Sequence, residues 1–244
     1  MKKYQTVPVA TGGQIKELAS ALVEAIPRGL SFEDAQYWIG KKNKLASEMR
    51  KILVRSNGNE HSEAISSWEN FYRDYFGLNI DLSVVSVSKK PIEGKWRLLV
   101  IADITLETLY AKCKGLFPCW LWTNDNLDKK VIYNERDAKN GAYAIWARDE
   151  VEADEKYKNL SANQIKGMNI KTETLAERLI HELKHFKETG KHLDIKNITL
   201  CSGSRYSDGS VPFVDWSDDD KLYVYWYFPD DSSDNLRARE AVSN

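Results

Sequence analysis

Apolar residues recur at helical spacing through the first quarter of the chain, and from there helix-like and strand-like stretches alternate to its end. Residues 14–26, 32–39 and 44–54 read as three short helices. The first stops at Pro27 and Gly29, Ser31 with Asp34 makes a capping-box-like start to the second, and Gly40 ends it. The third puts Leu45, Met49, Ile52 and Leu53 on one side. The polar run SNGNEHS at 56–62 reads as a linker. Beyond it, 64–76 is a helix whose stripe of Ile65, Trp68, Phe71, Tyr72 and Tyr75 reads as core packing. Residues 79–88 alternate apolar with polar (Ile80, Leu82, Val84), as a strand does, and 95–102 is a denser, central strand. Thr105 caps a helix running to 114 and closed by Gly115; 117–122 (FPCWLW) and 143–147 return to strand. Ser161 with Gln164 opens a short helical turn. Thr174 with Glu177 opens the longest helix, which runs to Thr189 with Gly190 just past its end. The terminal segment supplies three or four more strands. Helices and strands mixed without a βαβ rhythm predict an α+β fold with a largely antiparallel sheet and flanking helices. The expected division is a small helical module at 1–55, a linker at 56–63 and an α+β domain at 64–244.

The terminal strand is the most patterned. Leu222, Val224, Trp226 and Phe228 alternate with Tyr223, Tyr225 and Tyr227, so a period of two predicts one buried face and three tyrosines on the other. From Arg205 to Asn235, Tyr, Ser, Asp and Asn fill 18 of 31 positions, and Glu, Gln, Met, Ala, Ile and His are absent. Binding loops use this vocabulary: tyrosine gives amphipathic contact area at little entropic cost, and the small polar residues give adaptable hydrogen bonds. A polar hairpin that merely closes a sheet is the plainer alternative.

The pattern CSGSR–SDG–VP–V–W, then L-V-W, then P, then LRAR-AVS, resembles the C-terminal region of C-type-lectin-fold proteins diversified by retroelements. The resemblance covers about the last fifth of the chain; the glycine-rich GGSW segment and terminal GFR of better-known members are missing here. It implies a C-type-lectin-like domain that presents diversified small, polar and aromatic residues on an invariant scaffold. The residues it assigns to ligand binding are Tyr206, Ser207, Phe213, Asp215, Ser217, Asp218, Asp219, Tyr223, Tyr225, Tyr227, Phe228, Asp231, Ser232, Ser233 and Asn235. Gly203, Trp216, Leu222, Val224, Trp226, Leu236 and Arg239 read as scaffold.

Composition narrows the partners. At 244 residues and 42% apolar content, with eight tryptophans, the chain has enough for a real core. A formal net charge of −1 provides no global field for nucleic acid or an acidic membrane. Lys41, Lys42, Lys44, Arg50 and Lys51 raise helix–turn–helix DNA binding for the first module, but Glu17, Glu24, Glu33, Asp34 and Glu48 offset them, and a solvated lysine-rich face is expected. The N-terminus lacks an apolar run of signal-peptide length and no 18-residue apolar stretch exists, so a cytoplasmic protein is expected. Cys113, Cys119 and Cys201 read as reduced, partly buried thiols.

One motif carries a different chemistry. His181-Glu182-Leu183-Lys184-His185 fits H-E-x-x-H, in which two histidines one turn apart bind zinc and the glutamate polarises the metal-bound water. A zinc-dependent hydrolase is therefore the alternative function, with His192 or Asp194 as candidate third ligand. At about 100° per residue, with Leu175 at zero, Leu179, Leu183 and Phe186 fall near 40°, 80° and 20°, while His181 and His185 fall near 240° and 280° beside Glu177, Arg178 and Lys184. That geometry places the motif on a surface face laced with pairs such as Arg178–Glu182 and Lys184–Glu188, and no metal or other cofactor is expected. Calcium at Asp218, Asp219 and Asp220, or at Asp230, Asp231 and Asp234, stays open.

Overall fold

In the computed structural model, which describes residues 10–42, 45, 49 and 61–243, the chain divides into two units, Met1–Arg55 and Ser56–Asn244. The first contains α1 (Gly12–Glu24), where Thr11 and Gln14 close a capping box, and α2 (Phe32–Gly40), capped by Ser31. Neither helix buries a residue, and Ile15, Val23, Phe32 and Ile39 are exposed. The expected helix at 44–54 lies outside the described residues, apart from Leu45 and Met49, as does most of the expected linker.

The first helix described in the second unit is α3 (Ser62–Phe76), which starts two residues earlier than its apolar stripe suggests. Its aromatic side packs on β1 (Trp96–Ile101), an edge strand whose outward carbonyls need partners. Trp68 Nε1 donates to the Leu98 carbonyl at 3.0 Å and the Tyr72 hydroxyl to the Val100 carbonyl at 2.6 Å. The expected strand at 79–88 is irregular. Its backbone donors go elsewhere, the Leu82 amide to Glu69 and the Ser83 amide to Asp81, while Leu82 and Val85 still drop into the core.

Next come α4 (Leu106–Leu116), β2 (Cys119–Leu121), α5 (Leu127–Lys130), β3 (Val131–Asn134) and β4 (Tyr143–Arg148). Gly115 lies inside α4 rather than closing it, and Phe117 follows in extended conformation. After a single 3-10 turn at Glu155–Tyr157 come α6 (Ala162–Gly167) and α7 (Leu175–Thr189), both opened by complete capping boxes. Six strands follow: β5 (Ile198–Leu200), β6 (Ser204–Tyr206), β7 (Val211–Ser217), β8 (Lys221–Tyr227), β9 (Leu236–Arg237) and β10 (Ala241–Val242).

These strands form a three-stranded sheet β1-β4-β10, a five-stranded sheet β2-β8-β7-β5-β9 and a ribbon β3-β6. Pairing is antiparallel except for β2 with β8 and β5 with β9. The fold is α+β. One face of the larger sheet sends Leu222, Val224 and Val214 into the main core with β1, β4, α3, α4 and α7. The other face, through Val211, Phe213 and Leu200, meets Tyr157, Ala162 and Ile165 in a second, smaller core.

Helix α7 corrects a larger expectation. Its apolar stripe is buried, but so is the charged side: Glu177, Arg178, His181, Glu182 and Lys184 are all at most 5% exposed. Arg178–Glu182 and Lys184–Glu188 do pair, at 2.8 and 3.1 Å, yet the first pair is wholly buried. The partners that make this possible come from outside the helix: Arg136 and Tyr143 on Glu177, Glu173 on His181, Ser67 on Lys184, and Asp194 on Arg178.

Candidate functional site

The hairpin β7–β8 sets the site. Its antiparallel register places Tyr223 opposite Asp215, Tyr225 opposite Phe213 and Tyr227 opposite Val211 on one face, and the parallel pairing of β2 brings Trp120 level with Tyr223. Facing residues on neighbouring strands are close enough for their rings to meet. Trp120 stacks on Tyr223 with centroids 5.0 Å apart and an interplanar angle of 27°, and lies 5.5 Å from Tyr225. Phe213 lies 5.7 Å from Tyr225 and 5.0 Å from Tyr227. The result is a continuous ladder of five rings across three strands. The segment around the 3-10 turn and α6 covers its Tyr227 end; the other end stays open, with Tyr225 37% and Trp120 40% exposed.

At the open end the turn joining the strands carries Asp218, Asp219 and Asp220, all exposed. Asp219 accepts from Lys221 at 2.6 Å and from the Tyr223 hydroxyl at 3.1 Å, so the acidic tip is tied to the first tyrosine. Asp215, half-buried beneath it, has no hydrogen-bond partner on Oδ1. Burial first, and the nearby Asp194 carboxylate second, push its carboxyl up to about 7.

The sequence-assigned residues divide. Tyr223, Tyr225, Tyr227, Asp215, Ser217, Asp218 and Asp219 come together on or beside the ladder. Tyr206 does not belong to a surface: it is 1% exposed and packs edge-on against Trp122, 5.5 Å away, because β6 is sealed by β3. Phe213 is 8% exposed and serves as the base under Tyr225 and Tyr227 rather than as a tip. Phe228 was expected to alternate inward; the strand ends at Tyr227, and Phe228 turns out to 60% exposure against Trp226. Trp226 itself is only partly buried. Asp231, Ser232, Ser233 and Asn235 form a separate loop before β9, where Asp231 accepts from the Phe228 amide and Ser233 donates to Asn235. Ser207 is an exposed turn residue after β6. Trp120 is the residue missed; its signal is the odd phase it takes between Cys119 and Leu121 in FPCWLW.

The histidine motif is built for structure. Glu182 accepts from Arg178 at 2.8 Å, from His192 Nδ1 at 2.8 Å and from the Leu193 amide at 3.3 Å. Burial alone raises its pKa, but Arg178 and His192 outweigh that and hold it below the usual range. A glutamate so engaged is not free to polarise a metal-bound water. His181 Nδ1 sits 2.9 Å from Glu173, which burial pushes up to about 8, while burial and then Arg239 and Arg178 hold His181 well below its ordinary value. The pair is therefore a neutral acid beside a neutral ring. Among the described residues no group of three or more His, Cys, Asp or Glu is placed to hold a metal ion. In the acidic loops Asp219 is committed to Lys221, Asp230 to Asn163 and Asp231 to its own turn.

No described helix is long and apolar enough to cross a membrane. Compared with known proteins, the chain matches no family model, no curated protein and no solved structure.

Proposed function

We propose that the chain is a non-catalytic ligand-binding protein whose C-type-lectin-like domain presents the Trp120–Tyr223–Tyr225 face and the acidic β7–β8 turn to a protein or carbohydrate partner. The observation that carries this reading is the half-covered ladder: the same fold that buries Phe213 and partly covers Tyr227 leaves Trp120 and Tyr225 open at its other end. Flat rings give a sugar's apolar face or a protein side chain something to stack on, and the carboxylates at the rim accept hydrogen bonds from hydroxyls or amides. Aromatic anchors at the centre of such an interface often contribute about 2 kcal/mol or more each. Phe228, Ser207 and the 231–235 loop extend the candidate surface without belonging to the ladder. Retroelement diversification is the matching proposal for its origin, supported by the residue vocabulary of β6 to β9.

The test is a glycan array and an affinity capture from the native host lysate, run with the parent chain and with Tyr223, Tyr225 and Tyr227 all changed to Ser. A partner retained by the parent and lost by the triple variant supports the reading; a partner retained equally by both moves the binding surface elsewhere. Sibling genes that differ mainly at the exposed members of this set, with Tyr206 and Phe213 held constant, support the diversification proposal.

A further inference from the structure

A concave site on the second unit lies away from the aromatic ladder. The β3–β6 ribbon forms one wall, α6 and the turn after it the other, and the cleft encloses about 540 Å³, within the usual range for small-molecule sites. Ala162, Ile165 and Ile170 give it an apolar floor, and Tyr133, 53% exposed, lines it too. Its charged lining is Arg205, Lys166, Lys171 and Glu135. Glu135 is committed to Lys171 and lies 3.5 Å from Arg136; it makes no ion pair with Arg205 or Lys166 and acts on Arg205 only from a distance.

Arg205 is the exceptional residue. Every other arginine from residue 61 onward holds a carboxylate. Arg205 holds none among the described residues. One of its guanidinium nitrogens, Nη1, is pinned by the carbonyls of Ser202 and Ser204, both at 2.7 Å. The segment that carries those carbonyls is itself held. The Ser202 hydroxyl bonds the Thr172 hydroxyl at 2.6 Å, the Ser204 hydroxyl accepts from the Leu175 amide at 3.0 Å, and Gly203 packs so closely on 172–174 that a Cβ there would stand 2.9 Å from the Thr172 carbonyl. The side chain is half-buried, and its desolvation lowers the guanidinium's pKa, the opposite of the shift at Arg97, Arg136 and Arg178. A guanidinium fixed at one nitrogen keeps its other N–H groups in a defined fork, the geometry that takes a carboxylate or phosphate in two parallel bonds.

We propose that this cleft binds a small organic anion, with Arg205 receiving its carboxylate or phosphate group, Lys166 adding charge at the rim, and the Ile165–Ile170 floor and Tyr133 holding a compact body. The site is separate from the ladder, so its test does not depend on the partner proposed above.

Calorimetric titration of the full chain with glucuronate, glucose 6-phosphate, inorganic phosphate and glucose checks it. The expected result is one-to-one binding of at least one anion, weakened by added salt, with none for glucose. Glucuronate alone identifies a carboxylate site; glucose 6-phosphate with or without inorganic phosphate identifies a phosphate site. Arg205→Gln should weaken the bound anion by roughly tenfold or more, as for loss of a charge-assisted pair. Because Arg205 also ties two carbonyls, Lys166→Glu provides the variant that leaves the backbone untouched, and it should weaken the same anion several-fold with an unchanged melt. Tyr225→Ser should leave the affinity alone. No anion binding, equal binding of glucose, or an affinity indifferent to both Arg205→Gln and Lys166→Glu overturns the proposal.

Discussion

Helix α7 and the hairpin β7–β8 treat the same kind of side chain in opposite ways. Asp194, beside the helix, is fully buried, yet its pKa is held below the ordinary range, because Arg239 and Arg178 outweigh the burial. It accepts from Arg178 at 2.9 Å and from Arg239 at 2.6 Å. Asp215, on the hairpin, is only half-buried, yet burial first and the Asp194 charge second push it up to about 7, because the distant Arg178 does not offset them. Burial alone does not decide the charge of a carboxylate; its partners do. The helix side is a buried polar network in which the charges of Arg178, Glu182, Asp194 and Arg239 answer each other. The hairpin side is an open one in which rings and carboxylates are left for something else to answer.

The sharpest way to break that contrast is to remove Asp194. Asp194→Ala leaves Arg178 and Arg239 facing each other in the dry, and should destabilise the chain by about 3–5 kcal/mol in chemical denaturation, as for a broken buried pair. A loss below about 1 kcal/mol would mean that water reaches the network and that helix and hairpin do not differ in kind. Next in size is the strand's own inner face. Leu222 is fully buried, and Leu222→Ala should cost about 2–5 kcal/mol. Trp226→Ala should cost less than Leu222→Ala despite the larger side chain, since Trp226 is only partly buried. The reverse order would place Trp226 deeper than its neighbours do.

The local signals in the sequence carried most of the elements. Capping boxes at Ser161 and Thr174 and the left-handed Gly190 marked helix ends, and the dense run at 95–102 marked β1, whereas the capping box at Thr11 comes only from the structure. What they could not carry was partnership over distance. The apolar stripe of α7 correctly marks one side as buried. The other side is buried by Glu173, Arg136, Ser67 and Asp194, which lie up to 117 residues from their partners on the helix. Periodicity has no way to announce an ionic core. The strand expected at 79–88 failed for a related reason: its alternation is real, but Glu69 and Asp81 take the amides a ladder would need. On the hairpin, alternation found Tyr223 and Tyr225, but the inward phase was lost where β8 stops, before Phe228.

Replacing Tyr223, Tyr225 and Tyr227 together by Ser sharpens the comparison from the open side. Each cross-strand pair contributes roughly 0.2–1 kcal/mol, so the three should cost about 1 kcal/mol in total, well below the single change at Asp194. Equal or greater destabilisation would make the ladder ordinary core packing, and the hairpin would then resemble the helix after all.

The last effect is the most specific to the contrast. In an unfolded chain the Asp215 carboxyl ionises near pH 3.9 or so, whereas in the folded protein it holds its proton to about pH 7. Between those values the folded state binds a proton that the unfolded state has released, so this group makes stability fall as pH rises through the window and adds no slope above it. Asp215→Asn removes that slope. Glu173 and Asp154, raised to about 8 and about 6, act with the same sign but are present in both chains and cancel in the difference. Denaturation midpoints at pH 4.5, 6 and 8 should therefore show the variant gaining on the parent with each step up to about pH 7 and no further. Parallel curves would mean that a cation or water already serves Asp215, and the hairpin would then have no unanswered carboxylate to set against Asp194.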